Sequence, residues 1–287
     1  MTQAEERFDA AGLDKWTEDK VFEVTRERIA EYAAATNDPV AAHLAGDVAG
    51  PVFAVVPVFE AMTEPALDVV PLTWFGRVVH GEQDFTFHRP IKPGDVLTSR
   101  GAMIGFAGRP NGTSGVVLLE TRDQHGELVN EQHVTLFVRG RDTGEAVGQS
   151  APEHRFPEAL REQQPVAVVT QHVDDDQTFR YSPASGDPMP IHLDEQVAKD
   201  AGLPGIIAHG LCTMAFTSWA VLTEVGGGDV HRLRRLAVRF AKPVLPGQDI
   251  TTTIWREKSD NGVTTYRFET TADGEVVVKD GLAEVAE

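Results

Sequence analysis

Gln83-Asp84-Phe85-Thr86-Phe87-His88-Arg89-Pro90-Ile91-Lys92-Pro93-Gly94-Asp95 returns later in the chain as Leu236-Ala237-Val238-Arg239-Phe240-Ala241-Lys242-Pro243-Val244-Leu245-Pro246-Gly247-Gln248. Each stretch reads as an alternating strand, then Pro-x-x-Pro-Gly, then a second strand. The Pro-Gly pair makes a turn for a physical reason: proline fixes φ and glycine admits positive φ. A second echo lies upstream. Tyr32-Ala33-Ala34-Ala35-Thr36-Asn37-Asp38-Pro39 matches Tyr181-Ser182-Pro183-Ala184-Ser185-Gly186-Asp187-Pro188. Tyr32 and Tyr181 are 149 positions apart, and Pro90 and Pro243 are 153 apart. Two markers with nearly equal offsets imply duplication of one unit of about 150 residues.

Working outward from the markers, each unit reads alike. A short strand and helix open it (Val21 to Tyr32; Val166 to Tyr181). An irregular loop follows, then an apolar helix (Val55 to Leu67; Gly210 to Val225). Four strands close the first unit, at Val78–Phe87, Val96–Phe106, Ser114–Asp123 and Leu128–Arg139. Those of the second are Leu233–Phe240, Ile250–Arg256, Thr264–Thr270 and Glu275–Lys279. Their β-branched content and period-two alternation support strands. A helix followed by hairpin-linked strands means an α+β fold, an antiparallel sheet with a helix against one face. The units are residues 1–140 and 166–287. Between them, residues 141–165 are polar and lack periodicity, and read as a linker with a short helix near Glu158 to Gln163.

Composition bounds the function. Of 287 residues, 26 are basic and 44 acidic, a net charge of −18, which argues against nucleic acid as a partner. An apolar fraction of 41% is ordinary for a globular chain, so disorder is excluded as the main state. The single cysteine, Cys212, excludes an internal disulfide framework and fits a reducing compartment. The N-terminus, MTQAEERFDAAGLDKW, does not have the form of a signal peptide. The apolar run from Ala49 to Phe59 is too short to span a bilayer and contains Pro51 and Pro57. A cytoplasmic location without membrane contact is expected.

The densest functional stretch runs from Tyr181 to Gly210. Asp187 and His192 lie five apart, and Pro188 and Pro190 between them forbid a regular helix and stiffen the loop. Asp194 reads as the N-cap of a helix over Leu193 to Ala201, with Gly202 closing it. His209-Gly210 then leads into the long apolar helix, whose first N–H groups carry the positive end of the dipole. A carboxylate that can take a proton from water, an imidazole that can hold that water, and a helix-start N–H that can meet an oxyanion form an acid–base assembly for carbonyl chemistry. No Gly-x-Ser-x-Gly elbow and no Gly-rich nucleotide loop competes with it. Cys212, inside the apolar helix, reads as packing, as does Tyr181.

Asp187-Pro188-Met189-Pro190-Ile191-His192-Leu193-Asp194, followed by Pro204-Gly205-Ile206-Ile207-Ala208-His209-Gly210, resembles the motif of the MaoC-like (R)-specific enoyl-CoA hydratases and dehydratases. The doubled unit resembles their double-hotdog members, in which the C-terminal copy keeps the motif. The resemblance implies reversible hydration of trans-2-enoyl thioesters to (3R)-hydroxyacyl thioesters, as in fatty acid or polyketide metabolism. It implies Asp187 and His192 as the catalytic pair, the Gly210 N–H as the oxyanion donor, and no metal or cofactor beyond the CoA or phosphopantetheine of the substrate. An acyl carrier protein is a possible partner, and monomer and homodimer are both open. Met189 departs from the family, which has Asn there. With His209 it is placed among the substrate-facing residues, His209 as a positioning rather than a proton-carrying group.

Arg234 and Arg235, in the most basic stretch of an acidic chain, are candidates for the phosphates of a CoA arm; the alternative is a solvated sheet edge. The first unit repeats the spacing with Asp38 and His43, but no His-Gly follows. The corresponding stretch reads Phe53-Ala54-Val55-Val56-Pro57, so this copy is expected to be degenerate, its helix and sheet shaping the acyl pocket. Two rival functions fit the same fold, a hotdog thioesterase and a catalytically weak acyl-thioester-binding subunit.

Overall fold

The repeat closes into a single antiparallel sheet in a computed structural model that describes residues 6–287; the first five residues of the N-terminal stretch read above lie outside it. The first unit carries β1 (Lys20–Glu23), α1 (Arg26–Ala35), α2 (Ala41–Leu44), α3 (Phe59–Thr63), β2 (Val78–Phe87), β3 (Val96–Arg109), β4 (Gly112–Arg122) and β5 (Leu128–Arg139). A short β6 (Ala146–Gly148) lies in the connecting segment. The second unit carries β7 (Ala167–His172), α4 (Gln177–Ser185), α5 (Glu195–Asp200), α6 (Gly210–Val225), β8 (Leu233–Phe240), β9 (Asp249–Asp260), β10 (Val263–Ala272) and β11 (Glu275–Ala286). The strand order is β1-β3-β4-β5-β2-β8-β11-β10-β9-β7, with β6 added on β3.

The two units meet where β2 pairs with β8, with Phe85 opposite Leu236 and Glu82 opposite Arg239. The echoing strands of the repeat therefore lie side by side at the seam. Across the helical layer the other pair of echoes also meets: the hydroxyls of Tyr32 and Tyr181 are 3.3 Å apart. Period two sends Phe85, Leu236 and Val238 into the core and their neighbours Asp84, Arg235 and Arg239 to the opposite face. There Arg235 binds Asp84 with two hydrogen bonds, of 3.0 and 2.6 Å.

Helix α6 is apolar nearly all round and is buried from Leu211 to Ser218. It packs against β7, β8, β9 and β11, which gives the second unit the form of a hotdog, a sheet wrapped on one long helix. The first unit departs from the expected helix over Val55 to Leu67. It has instead a 3₁₀ turn at Pro51–Val55, the short α3, and another 3₁₀ turn at Glu64–Asp68. The cause is proline: Pro57 and Pro65 each remove an N–H and clash with the preceding turn, so one continuous helix cannot form. The buried apolar side chains are kept, and Val52, Phe53, Val55, Val58 and Ala61 still fill the core.

Residues 141–165 do more than tether the units. Besides β6, they carry a 3₁₀ turn at Glu158–Glu162, and Phe156 and Leu160 form a small cluster with Trp255. His154 Nδ1 donates to the Asp280 carbonyl at 2.7 Å, and the Phe156 N–H donates to the Asp280 side chain at 2.9 Å. No helix among the described residues is long and apolar enough to cross a membrane.

Candidate active site

Asp187 follows a left-handed Gly186 (φ 81°) that ends α4, and the two prolines then turn the chain into a 3₁₀ turn at Pro190–His192. The loop is held by its own polar groups. The Met189 N–H donates to Asp187 Oδ1 at 3.0 Å, and the Ser182 hydroxyl donates to the Asp187 carbonyl at 2.7 Å. Asp194 caps α5, accepting from the Gln196 and Val197 N–H groups. His192 Nδ1 lies 2.8 Å from the Ile207 carbonyl. A carbonyl only accepts, so Nδ1 carries the proton and Nε2 keeps a lone pair.

His209 completes the assembly. Its ring lies on that of His192, with centroids 3.8 Å apart at 27°, and the Tyr181 ring stands 4.9 Å away. One ligand-type atom from each of Asp187, His192 and His209 lies within 4.8 Å of the others. These atom types could bind a metal, but two ring nitrogens are already engaged, His192 Nδ1 on Ile207 and His209 Nε2 on the Asp187 carbonyl at 3.3 Å. Burial drives the His192 imidazole below its usual 6.5 despite the Ile207 carbonyl and the Asp187 charge. Burial also drives the Asp187 carboxyl above its usual 3.8 despite the Met189 N–H and His192. His209, desolvated and beside His192, is pushed down to about 3, so it is neutral at ordinary pH.

Gly210 begins α6 directly after His209. The first N–H groups of a helix have no intrahelical acceptor, and no side chain caps this one. The Phe240 ring faces the Gly210 Cα, and a Cβ placed there would stand 3.4 Å from it. Sequence reading passed over Phe240, although it ends a strand whose alternation points it inward. A cavity of about 620 Å³ is lined by Phe240 with His80, Arg239, Lys279 and part of the linker; neither the Asp–His pair nor Gly210 lines it.

The remaining candidates are dispersed. Met189 is half exposed at the rim. Arg235 is tied to Asp84, its side chain 18% exposed, and so is not a free cation for a phosphate. Strand β8 lies inside the sheet, not at an edge. Arg234 is exposed.

The first unit aligns differently from the sequence expectation. The Ala49 N–H donates to the Ile91 carbonyl and the Ala208 N–H to the Val244 carbonyl, at 2.9 and 2.8 Å. Ile91 and Val244 are matching positions of the repeat, so Ala49 matches Ala208. Gly50-Pro51, not the stretch from Phe53 to Pro57, therefore stands where His209-Gly210 stands. Pro51 has no N–H to offer.

A doubled hotdog whose second unit gathers a half-buried Asp187 and a buried His192 with the residue before a helix start is the architecture of an enzyme acting on a thioester. The chain belongs to the MaoC-like dehydratase family. The MaoC like domain matches residues 157–278, and the FAS1-like dehydratase domain region matches residues 13–132. The chain is 32% identical over 216 residues to 3-hydroxyacyl-thioester dehydratase Y of Mycobacterium tuberculosis, covering 72% of each chain. A MaoC-like dehydratase from Phytophthora capsici superimposes with a TM-score of 0.82 at 25% identity, covering 95% of both chains. A Mycobacterium tuberculosis protein with a double hotdog fold superimposes with a TM-score of 0.60 at 15% identity, covering 94% of this chain and 96% of that one, a likeness of fold.

Proposed function

We propose that this chain adds water across the 2,3 double bond of trans-2-enoyl thioesters, giving (3R)-hydroxyacyl thioesters, and catalyses the reverse dehydration. The single observation that carries this is the gathering of Asp187, His192 and His209, with a ligand-type atom of each within 4.8 Å of the others, directly before the uncapped start of α6; the outer oxygen of Asp187 and His192 Nε2 are read as the two acceptors open to water. A water donating one hydrogen to each acceptor turns its lone pairs away from both, toward a substrate carbon.

Asp187 takes a proton as the water oxygen bonds to C3. The electron pair of the double bond moves to C2 and the thioester carbonyl, and the Gly210 N–H meets the resulting oxyanion. The proton released by the water returns to C2 within the pair, His192 Nε2 relaying it. Neutral His192 suits this role, because only the neutral ring keeps the acceptor. Neither a metal nor a redox cofactor enters these steps. The relatives named as hydratases and dehydratases support the reading.

The carrier is CoA or an acyl carrier protein, and Arg234 is the member of the basic pair left to meet its phosphate. The first unit supplies wall rather than chemistry, since Pro51 replaces the donor amide. A cytoplasmic location fits the single buried cysteine, Cys212. The β2–β8 seam already joins two hotdog units within one chain, so both a monomer and a homodimer are compatible with it.

The test is loss of enoyl absorbance with crotonyl-CoA and longer enoyl-CoA substrates, with chiral analysis of the product. Asp187→Asn should fold normally and lose activity by about 100-fold or more. Release of free thiol with no hydroxyacyl thioester formed would favour a thioesterase instead. Met189 supports a second reading, a weakly active acyl-binding subunit. That reading gains if the wild type binds enoyl-CoA without turnover and Met189→Asn restores turnover.

A further inference from the structure

The two units hold the same two residues in different states. Each Asp accepts an N–H two residues on, Asp38 from Val40 at 2.9 Å and Asp187 from Met189 at 3.0 Å. The histidines diverge. His43 Nδ1 closes onto Asp38 Oδ2 at 2.7 Å, and both residues are buried, 0% and 6% exposed. His192 Nδ1 turns instead to the Ile207 carbonyl.

What differs beside them is the residue before the helix start. At Gly50 there is no side chain, and a Cβ built there would fall 3.0 Å from Asp38 Oδ2 and 3.3 Å from His43 Nδ1. The closed pair thus crowds the space that a side chain would need. In the second unit His209 fills the matching place, with its ring on His192 and its Nε2 on the Asp187 carbonyl.

We propose that His209 is the positioning residue that holds the pair open: its ring keeps Asp187 and His192 from closing on each other, so both acceptors stay available to water. Glycine at this place lets the pair close into a buried direct contact, as Asp38 and His43 do, even though His43 Nε2 is left without a partner. The proposal rests on the reading of Asp187 and His192 as the reacting pair. His209 does not carry the proton itself. Its Nδ1 is buried without a partner, and its low proton affinity keeps it neutral.

The experiment compares His209→Gly and His209→Phe with wild type and Asp187→Asn in the full chain, using crotonyl-CoA. His209→Gly should lower kcat by about 100-fold, the size expected when a general base is withdrawn, with KM changed far less. It should also move the acid limb of the pH profile, because a directly bonded Asp–His pair titrates as a different unit. His209→Phe, a ring without nitrogens, should recover most of that loss and restore the limb. A His209→Phe variant as inactive as His209→Gly, with both folded by thermal melt, would overturn the spacer role. So would wild-type kinetics and pH profile in His209→Gly. Activity surviving in Asp187→Asn would instead defeat the functional reading beneath it.

Discussion

Pro51 occupies in the first unit the place that Gly210 occupies in the second: each opens a helical turn two residues beyond an alanine whose N–H donates to a matching carbonyl, Ile91 or Val244. Proline is well tolerated at the first position of a helix, where its missing N–H has no intrahelical acceptor to lose. The first unit therefore keeps the turn while giving up the donor. The duplicated chain contains its own comparison between a helix start that keeps its first amide and one that lacks it.

That comparison can be transferred. Gly210→Pro should fold, because His209 already has the extended conformation that a residue before proline requires (φ −59°, ψ 133°), and a Cβ at 210 would stand 3.4 Å from the Phe240 ring, an ordinary contact. The variant removes one N–H and should lower kcat by about 10²–10³-fold, the range for loss of one oxyanion donor. Gly210→Ala, which keeps the N–H, should lose far less. Equal losses in the two variants would show that crowding by Phe240, not the amide, is what matters.

The pH profile follows from the site's burial. On the proposed reading, activity needs Asp187 ionised and His192 neutral. Burial raises the first group above 3.8 and lowers the second below 6.5, so both conditions are lost on the acid side. As the two groups are close enough to titrate together, the limb belongs to the pair. kcat/KM for enoyl-CoA hydration should fall on the acid side alone and stay flat as pH rises above that limb. Loss of kcat/KM on the alkaline side through the His192 titration would mean that His192 works in its charged form, and the water-holding role assigned to Nε2 would fail.

Much of this arrangement was legible in the sequence. Period-two alternation located all four strands of each unit, although the last, read as Glu275–Lys279, continues to Ala286, and the mainly apolar run from Leu211 to Leu222 located α6. The Pro-flanked spacing brought Asp187 and His192 forward, and the fold sets them beside His209. Other features depend on contacts that local pattern does not encode. The apolar content of Val55 to Leu67 outweighed its prolines on reading, yet the backbone obeys the prolines. The pairing of Pro51 with Gly210 was hidden because the second unit has extra chain, including α5, between its Asp–His pair and its helix. Only the two alanine hydrogen bonds restore the register. Arg235 looked like a free cation because its partner, Asp84, is 151 residues away.

The linker carries a pH-dependent contribution to stability. His154 Nε2 is 3.2 Å from Glu82 Oε2, and Arg239 is 2.7 Å from Glu82 Oε1, so linker, first unit and second unit meet at one carboxylate on the seam. Burial pushes His154 down, but the Glu82 hydrogen bond, the Asp280 carbonyl and the Glu82 and Asp84 charges hold it above 6.5. Burial pushes Glu82 up, but His154 and Arg239 hold it below 4.5. The sign follows from linkage. The part due to His154 is complete below its unfolded value of about 6.5 and is lost as pH rises through its raised folded value. The part due to Glu82 is complete above about 4.5 and is lost as pH falls through its lowered folded value. The contact is therefore strongest between those two pH values. His154→Gln should lower Tm by several degrees at pH 6, as loss of a hydrogen bond to a charged group costs about 1.5–3 kcal/mol and each kcal/mol shifts Tm by roughly 2–4 °C in a large domain. The gap from wild type should narrow as pH rises through the raised folded value of His154. Thermal melts of the two proteins at pH 6 and pH 9 measure it, and an equal gap at both pH values would show that His154 acts by packing rather than by charge.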